Sequence, residues 1–89
     1  MTTDELVIEV KKGLGISTDP NEKIDPVIKQ KVLSVKAFLK NAGVTDENMN
    51  GELAIGVIVM GVNDLWDSEA GEIKFSPAFF TLVTQLASG

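Results

Sequence analysis

The stretch LAIGVIVMGVNDLW, Leu53 to Trp66, decides the fold. Its β-branched middle, Ile55 to Val59, invites a strand, but fourteen residues are too many for a strand of ordinary length and suit a helix. As a helix it is apolar almost all the way round, so neighbouring elements must cover most of it. Gly56 and Gly61 each cost such a helix about 1 kcal/mol relative to Ala, so packing has to hold the segment together. With Leu53 at zero degrees on the helical wheel, Ala54, Ile55, Ile58, Val62, Leu65 and Trp66 span roughly 100 to 220 degrees, an arc wide enough for the core. Leu53, Val57 and Met60 fall within about 40 degrees of zero, on the side that carries Asp64, at the i, i+4, i+7 spacing by which a helix presents anchors to a partner. These three are predicted protein-interaction residues. Leu33, Trp66 and Ile8 raise the same question singly: Leu33 lies among lysines, Ile8 lies on a polar helix face, and Trp66 suits the core first and an interface second.

Outward from that stretch, three more helices are predicted. In Asp4 to Leu14, Leu6, Val7, Val10 and Leu14 share one side; Thr2 with Glu5 reads as a capping box, and Gly13 or Gly15 can end the helix. A polar loop over Ser17 to Lys23 precedes a long helix that opens at Asp25-Pro26, with Asp25 as the expected N-cap. Its apolar stripe is Ile24, Ile28, Val32, Val35, Leu39 and Ala42, flanked by Val27 and Phe38, with Lys29, Lys36 and Lys40 opposite and a stop at Asn41-Ala42-Gly43. Thr45 to Gly51 reads as a polar connection and Asp67 to Phe75 as a second loop, with Glu72 to Phe75 open to a short extended piece. Ser76-Pro77 restarts a helix over Pro77 to Ala87, with Phe79, Leu82, Val83 and Leu86 on one face. The expected fold is therefore all-α, a compact bundle of about four helices forming a single domain over residues 1–89.

Composition narrows the chemistry. The 89 residues contain no Cys and no His, which removes thiolate ligands, cysteine nucleophiles and the commonest neutral-pH general base. Eight Lys face thirteen acids for a net charge of −5, and Arg is absent. The imbalance lies in the second half. Residues 1–43 hold seven Lys and six acids, whereas residues 44–89 hold one Lys and seven acids and should repel nucleic acid. No basic, apolar leader opens the chain, and the apolar run Leu53 to Val62 falls short of the ~20 residues that span a bilayer. A soluble intracellular product is the expectation.

Several motifs almost appear. Gly13-Leu14-Gly15 lacks the third glycine and the βαβ setting of a dinucleotide turn, and Gly51 and Gly56 have phosphate-loop spacing with Val57-Ile58 where Lys and Ser or Thr are needed. Asp67, Glu69 and Glu72 suggest a calcium loop, but Ala78 stands at the position of its closing carboxylate. Ser68 follows a helix instead of opening one, as a carrier protein's phosphopantetheine serine would, and Asp46-Glu47 reads as solvated surface. No enzyme, cofactor or metal is predicted.

Taken in order, Leu6 to Ile16 as an opening helix, Ile24-Asp25-Pro26-Val27-Ile28 starting the next, Phe38 to Gly43 closing it, the apolar Ala54 to Trp66 helix and the Phe79 to Leu86 segment resemble the small phage head-tail connector (adaptor) proteins. The resemblance implies a structural virion subunit of the neck between head and tail, made in the bacterial host cytoplasm. It would assemble with copies of itself as a ring, twelve-fold by the family pattern, beneath the portal protein and beside other head- or tail-completion proteins. DNA would pass through its channel without specific binding, and no membrane would be involved. Leu53, Val57 and Met60 would then meet the neighbouring copy and the last helix the portal. The other class consistent with these residues is a small acidic monomer that binds one protein partner, such as a host-factor inhibitor.

Overall fold

The computed structural model describes residues 2–67 and 75–88 and is all-α: α1 (Thr3–Leu14), α2 (Asp25–Asn41), α3 (Asp46–Met49), α4 (Glu52–Asp67) and α5 (Pro77–Ser88). The segment expected to hold a short extended piece lies, apart from Phe75, outside the described residues.

Local chemistry sets each helix end. Thr2 caps α1 through its hydroxyl, which accepts the Glu5 N–H at 3.2 Å, while the Glu5 carboxylate accepts the Thr2 N–H at 3.0 Å. That backbone N–H, together with the Thr2 hydroxyl, holds the Glu5 carboxyl below its ordinary value. Gly15, not Gly13, ends the helix, at φ 72, and the Ile16 N–H returns to the Lys11 carbonyl at 3.1 Å. The same device closes α2, where Gly43 has φ 97 and the buried Val44 donates to the Leu39 carbonyl at 3.0 Å. Ser76 caps α5 by accepting the Phe79 N–H at 3.2 Å, and its own N–H donates to Asp64 Oδ2 of α4 at 2.9 Å. The connection expected to be irregular over residues 45–51 contains a single helical turn, α3, because the Thr45 hydroxyl accepts the Asn48 N–H at 3.1 Å and so nucleates it. Asn48 Nδ2 then donates to the Leu86 carbonyl at 3.2 Å, tying α3 to the end of α5.

The start of α2 differs from expectation. Asp25 is its first helical residue and not its N-cap. No side chain among the described residues caps the helix; Ile24 is the N-cap, and Asn21 Oδ1 orders the turn that precedes it, accepting from the Lys23 N–H at 2.9 Å and the Ile24 N–H at 3.0 Å. The Asp25 carboxylate is engaged elsewhere: it pairs with the Lys11 ammonium and accepts the Asn21 N–H at 3.1 Å. Lys11 is only 2% exposed, and its ammonium also donates to the Asp19 carbonyl at 2.8 Å. A lysine that reads in sequence as a helix C-terminal charge is thus the pin that fastens the loop and α2 to α1. The Lys11 ammonium and the Asn21 N–H hold the Asp25 carboxyl below its ordinary 3.8.

One core unites the helices. Leu6, Val7 and Val10 of α1, Ile28, Val32, Val35 and Leu39 of α2, Ala54, Val57, Ile58 and Val62 of α4, and Phe79, Val83 and Leu86 of α5 are buried in a single cluster with Val44. The stripe residue Ala42 lies outside the core, exposed beyond the helix end, and the flanking Val27 is exposed as well. At the bottom of the bundle Phe38, Phe75, Phe79 and Phe80 form one aromatic group, with Phe75 stacked on Phe79 at 4.3 Å between centroids.

The glycines of α4 play unlike parts. A Cβ built at Gly61 would sit 2.6 Å from Phe79 Cε1 and 3.0 Å from Val35 Cγ1, so α4 approaches α2 and α5 through the missing side chain. At Gly56 a Cβ meets nothing within 4 Å. Gly56→Ala should therefore stabilise by about 0.5–1 kcal/mol through helix propensity. Gly61→Ala should destabilise by about 2 kcal/mol, overpacking outweighing the same propensity gain. Chemical denaturation of both variants checks this, and shifts of the same sign would refute the packing assignment.

A second test concerns the Lys11–Asp25 pair. Because the folded-state pKa of Asp25 is the depressed one, its contribution is complete above about pH 4 and is lost as pH falls through the folded value. Asp25→Asn, which leaves a buried ammonium without its counter-charge, should lower Tm at pH 7 and flatten the acid limb of the stability profile below about pH 4. Lys11→Met should cost less, since the carboxylate it leaves behind, about a third exposed, can turn to water. Thermal melts in which Lys11→Met is the more damaging change would reject this assignment.

Candidate interaction surface

The predicted interaction residues divide. Leu53 and Leu33 are exposed, each at 49%, Trp66 is exposed at 38%, and Met60 is half-buried against the core. Val57 is a correction: it is wholly buried and belongs to the core cluster. The reason lies in Gly61. The buried residues of α4 are Ala54, Val57, Ile58, Gly61 and Val62, an arc from about 40 to 180 degrees centred near Ala54 at about 110, so the helix turns Ala54 and Gly61 toward its neighbours and carries Val57 inward. The sequence reading treated Gly61 as a propensity cost and placed the arc about 50 degrees too far toward Trp66, which the structure leaves exposed. The outward ridge of α4 is consequently Leu53, Gly56 and Met60, beside Glu52. Asn63 lies farther along, and its Oδ1, though enclosed, meets no hydrogen-bond donor among the described residues.

Further apolar side chains reach the surface: Ile8, Ile16, Val27 and Phe80. Ile8 borders an open groove of about 550 Å³ between α1, the loop after it and the start of α2, with Val7, Pro20 and Pro26 along its apolar wall and Asp4, Glu22 and Lys29 among its lining. Leu53 borders a second concavity of about 390 Å³, shaped by α3, the start of α4 and the end of α5, with Glu47, Glu52, Gln85 and Leu86 among its lining. Sequence reasoning missed this concavity because it depends on α3 folding and on Asn48 reaching Leu86, contacts between residues 38 positions apart. The capping sequence of Thr45 with Asn48 was the available signal for α3.

Charge follows the same partition. Lys29 and Lys40 are exposed on α2 and meet acids only loosely, Asp4 at 3.9 Å and Asp46 at 3.8 Å. Glu47 and Glu52 are exposed and take part in no ion pair among the described residues. Among the described residues no group of three or more acids is gathered as a metal site would need, and no helix is long and apolar enough to cross a membrane. Two half-exposed leucines thus stand on different helices, Leu33 among the α2 lysines and Leu53 beside the Glu47 and Glu52 carboxylates.

Compared with protein-family models, curated proteins and solved structures, the chain matches none.

The corrected geometry separates fold from contact by mutation. Val57→Ala should destabilise by about 2 kcal/mol, the transfer and cavity cost of a buried valine. Leu53→Ser and Leu33→Ser should each stay within about 0.5 kcal/mol of the parent, as exposed substitutions do. Urea titrations read by circular dichroism give the ranking, and a Leu53→Ser loss as large as that of Val57→Ala would place Leu53 in the core.

Proposed function

We propose that this chain is a non-enzymatic assembly subunit of the phage head-tail connector kind, a neck protein that self-associates into a ring under the portal and borders the path of the DNA. The observation that carries the reading is the pair of exposed leucines, Leu33 and Leu53, on two different helices, each flanked by charge of one sign and the most exposed of the large apolar side chains among the described residues. A subunit in a ring needs two adhesive faces, one for each neighbour, whereas a monomer that binds one partner needs one. The order and spacing of helices that resemble the connector proteins support the same role. So does the charge: an Arg-free chain of net −5 grips phosphate poorly, which suits a channel through which DNA must slide.

The groove beside Ile8 favours a second reading, a small acidic module that takes one apolar segment of a host protein between α1 and α2. The two differ in stoichiometry. Mixed with the portal of the same phage and imaged by negative-stain electron microscopy, the chain should add a ring of density coaxial with the portal, and Leu33→Ser or Leu53→Ser should abolish that ring while the helical circular dichroism persists. Portal particles that remain bare at high subunit excess would overturn the connector reading. Tight binding of duplex DNA by the isolated chain at physiological salt would overturn the sliding role.

A further inference from the structure

We propose that the lysine-flanked ridge around Leu33 on α2 of one protomer seats in the acidic concavity beside Leu53 of the next, a head-to-tail contact between two different faces of the same chain. The proposal rests on the self-assembly reading and names the surfaces that carry it.

On α2, Lys29, Leu33, Lys36 and Lys40 follow steps of four, three and four residues, which line them along one side of the helix, with Ala37 next to Leu33. Leu33 is half-exposed. The receiving face is built differently. Leu53 stands at the edge of the 390 Å³ concavity, the buried Leu86 belongs to its wall, and Glu47 and Glu52 supply two carboxylates that form no ion pair among the described residues. An aliphatic knob among ammonium groups thus faces an aliphatic hollow among carboxylates.

Electrostatics selects the crossed pairing over the symmetric ones. Two α2 faces laid together set Lys29, Lys36 and Lys40 against their own copies, and two concavities laid together do the same with Glu47 and Glu52. Each like-with-like contact desolvates charges of one sign, whereas the crossed contact neutralises both faces. The whole chain has the same polarity, +1 over residues 1–43 and −6 over residues 44–89. A contact between unlike faces leaves one donor and one acceptor face free at the ends, so it propagates and closes into a ring when the rotation per subunit allows. An isologous contact would stop at a dimer.

The absence of Cys makes the test direct. Leu33→Cys and Leu53→Cys are exposed single substitutions that give two separately purified proteins, distinguished by a small mass tag on one. Each alone and an equimolar mixture are treated at high concentration with a short bis-maleimide, and products are read by mass spectrometry. The mixed 33–53 product should exceed either homodimeric product by about tenfold, the ratio that a 1.4 kcal/mol preference for unlike faces gives. Its yield should fall with added salt. Lys36→Glu in the Leu33→Cys protein should suppress it, and Glu52→Lys in the Leu53→Cys partner should recover a large part of the loss. Predominant 33–33 or 53–53 products would overturn the head-to-tail contact while leaving self-assembly intact. If no product forms and the parent chain sediments as a monomer at the same concentration, self-assembly itself fails and this contact with it.

Discussion

Helix α4 lies against α2 and α5 together because position 61 carries no side chain. The backbone there comes so near Phe79 and Val35 that a single methyl would overlap both, and Gly61 lies within the buried arc of the helix. Everything on the outside of α4 follows from it. With Gly61 and Ala54 turned inward, Val57, Ile58 and Val62 share the core, Leu53 and Gly56 are turned to the surface, and Met60 is half-buried beside them. A second close approach, Gly13 of α1 against Val59 with 2.5 Å between a built Cβ and Val59 Cγ1, seats the first helix on the opposite side of the same element. Glycines that weaken α4 and α1 as isolated helices let them pack at short range, and the dispersion and burial gained there offset the lost propensity.

The remaining part of the scaffold is fastened by charge. Residues 15–24 form an exposed loop with few apolar anchors, and the Lys11 ammonium ties them down by binding the Asp19 carbonyl and the Asp25 carboxylate together. A buried ammonium is costly unless its counter-charge and hydrogen bonds are in place, so the pair specifies one loop arrangement more than it adds stability. The arrangement it specifies sets the angle at which α2 leaves the loop and so the direction in which Leu33 and its lysines face. The proposed contact between protomers therefore has its origin in two packing decisions made inside one protomer, at Gly61 and at Lys11.

The sequence by itself determined four of the five helices and most of their ends. Capping at Thr2, the left-handed stop at Gly15 and the restart at Ser76-Pro77 involve residues no more than five apart, and such local hydrogen bonds are legible in order along the chain. Composition likewise removed cysteine and histidine chemistry, and periodicity marked Leu33 and Leu53 as apolar residues left over from the core. Only the tertiary structure decided which arc of α4 faces inward, that Val57 is core, that Lys11 is buried, and that α3 and α5 meet to make a concavity beside Leu53. The physical reason is that a wheel assigns positions by hydrophobicity, whereas burial among close-packed helices goes to the residues that let backbones approach, and the smallest side chains decide that approach from a neighbour the sequence does not name.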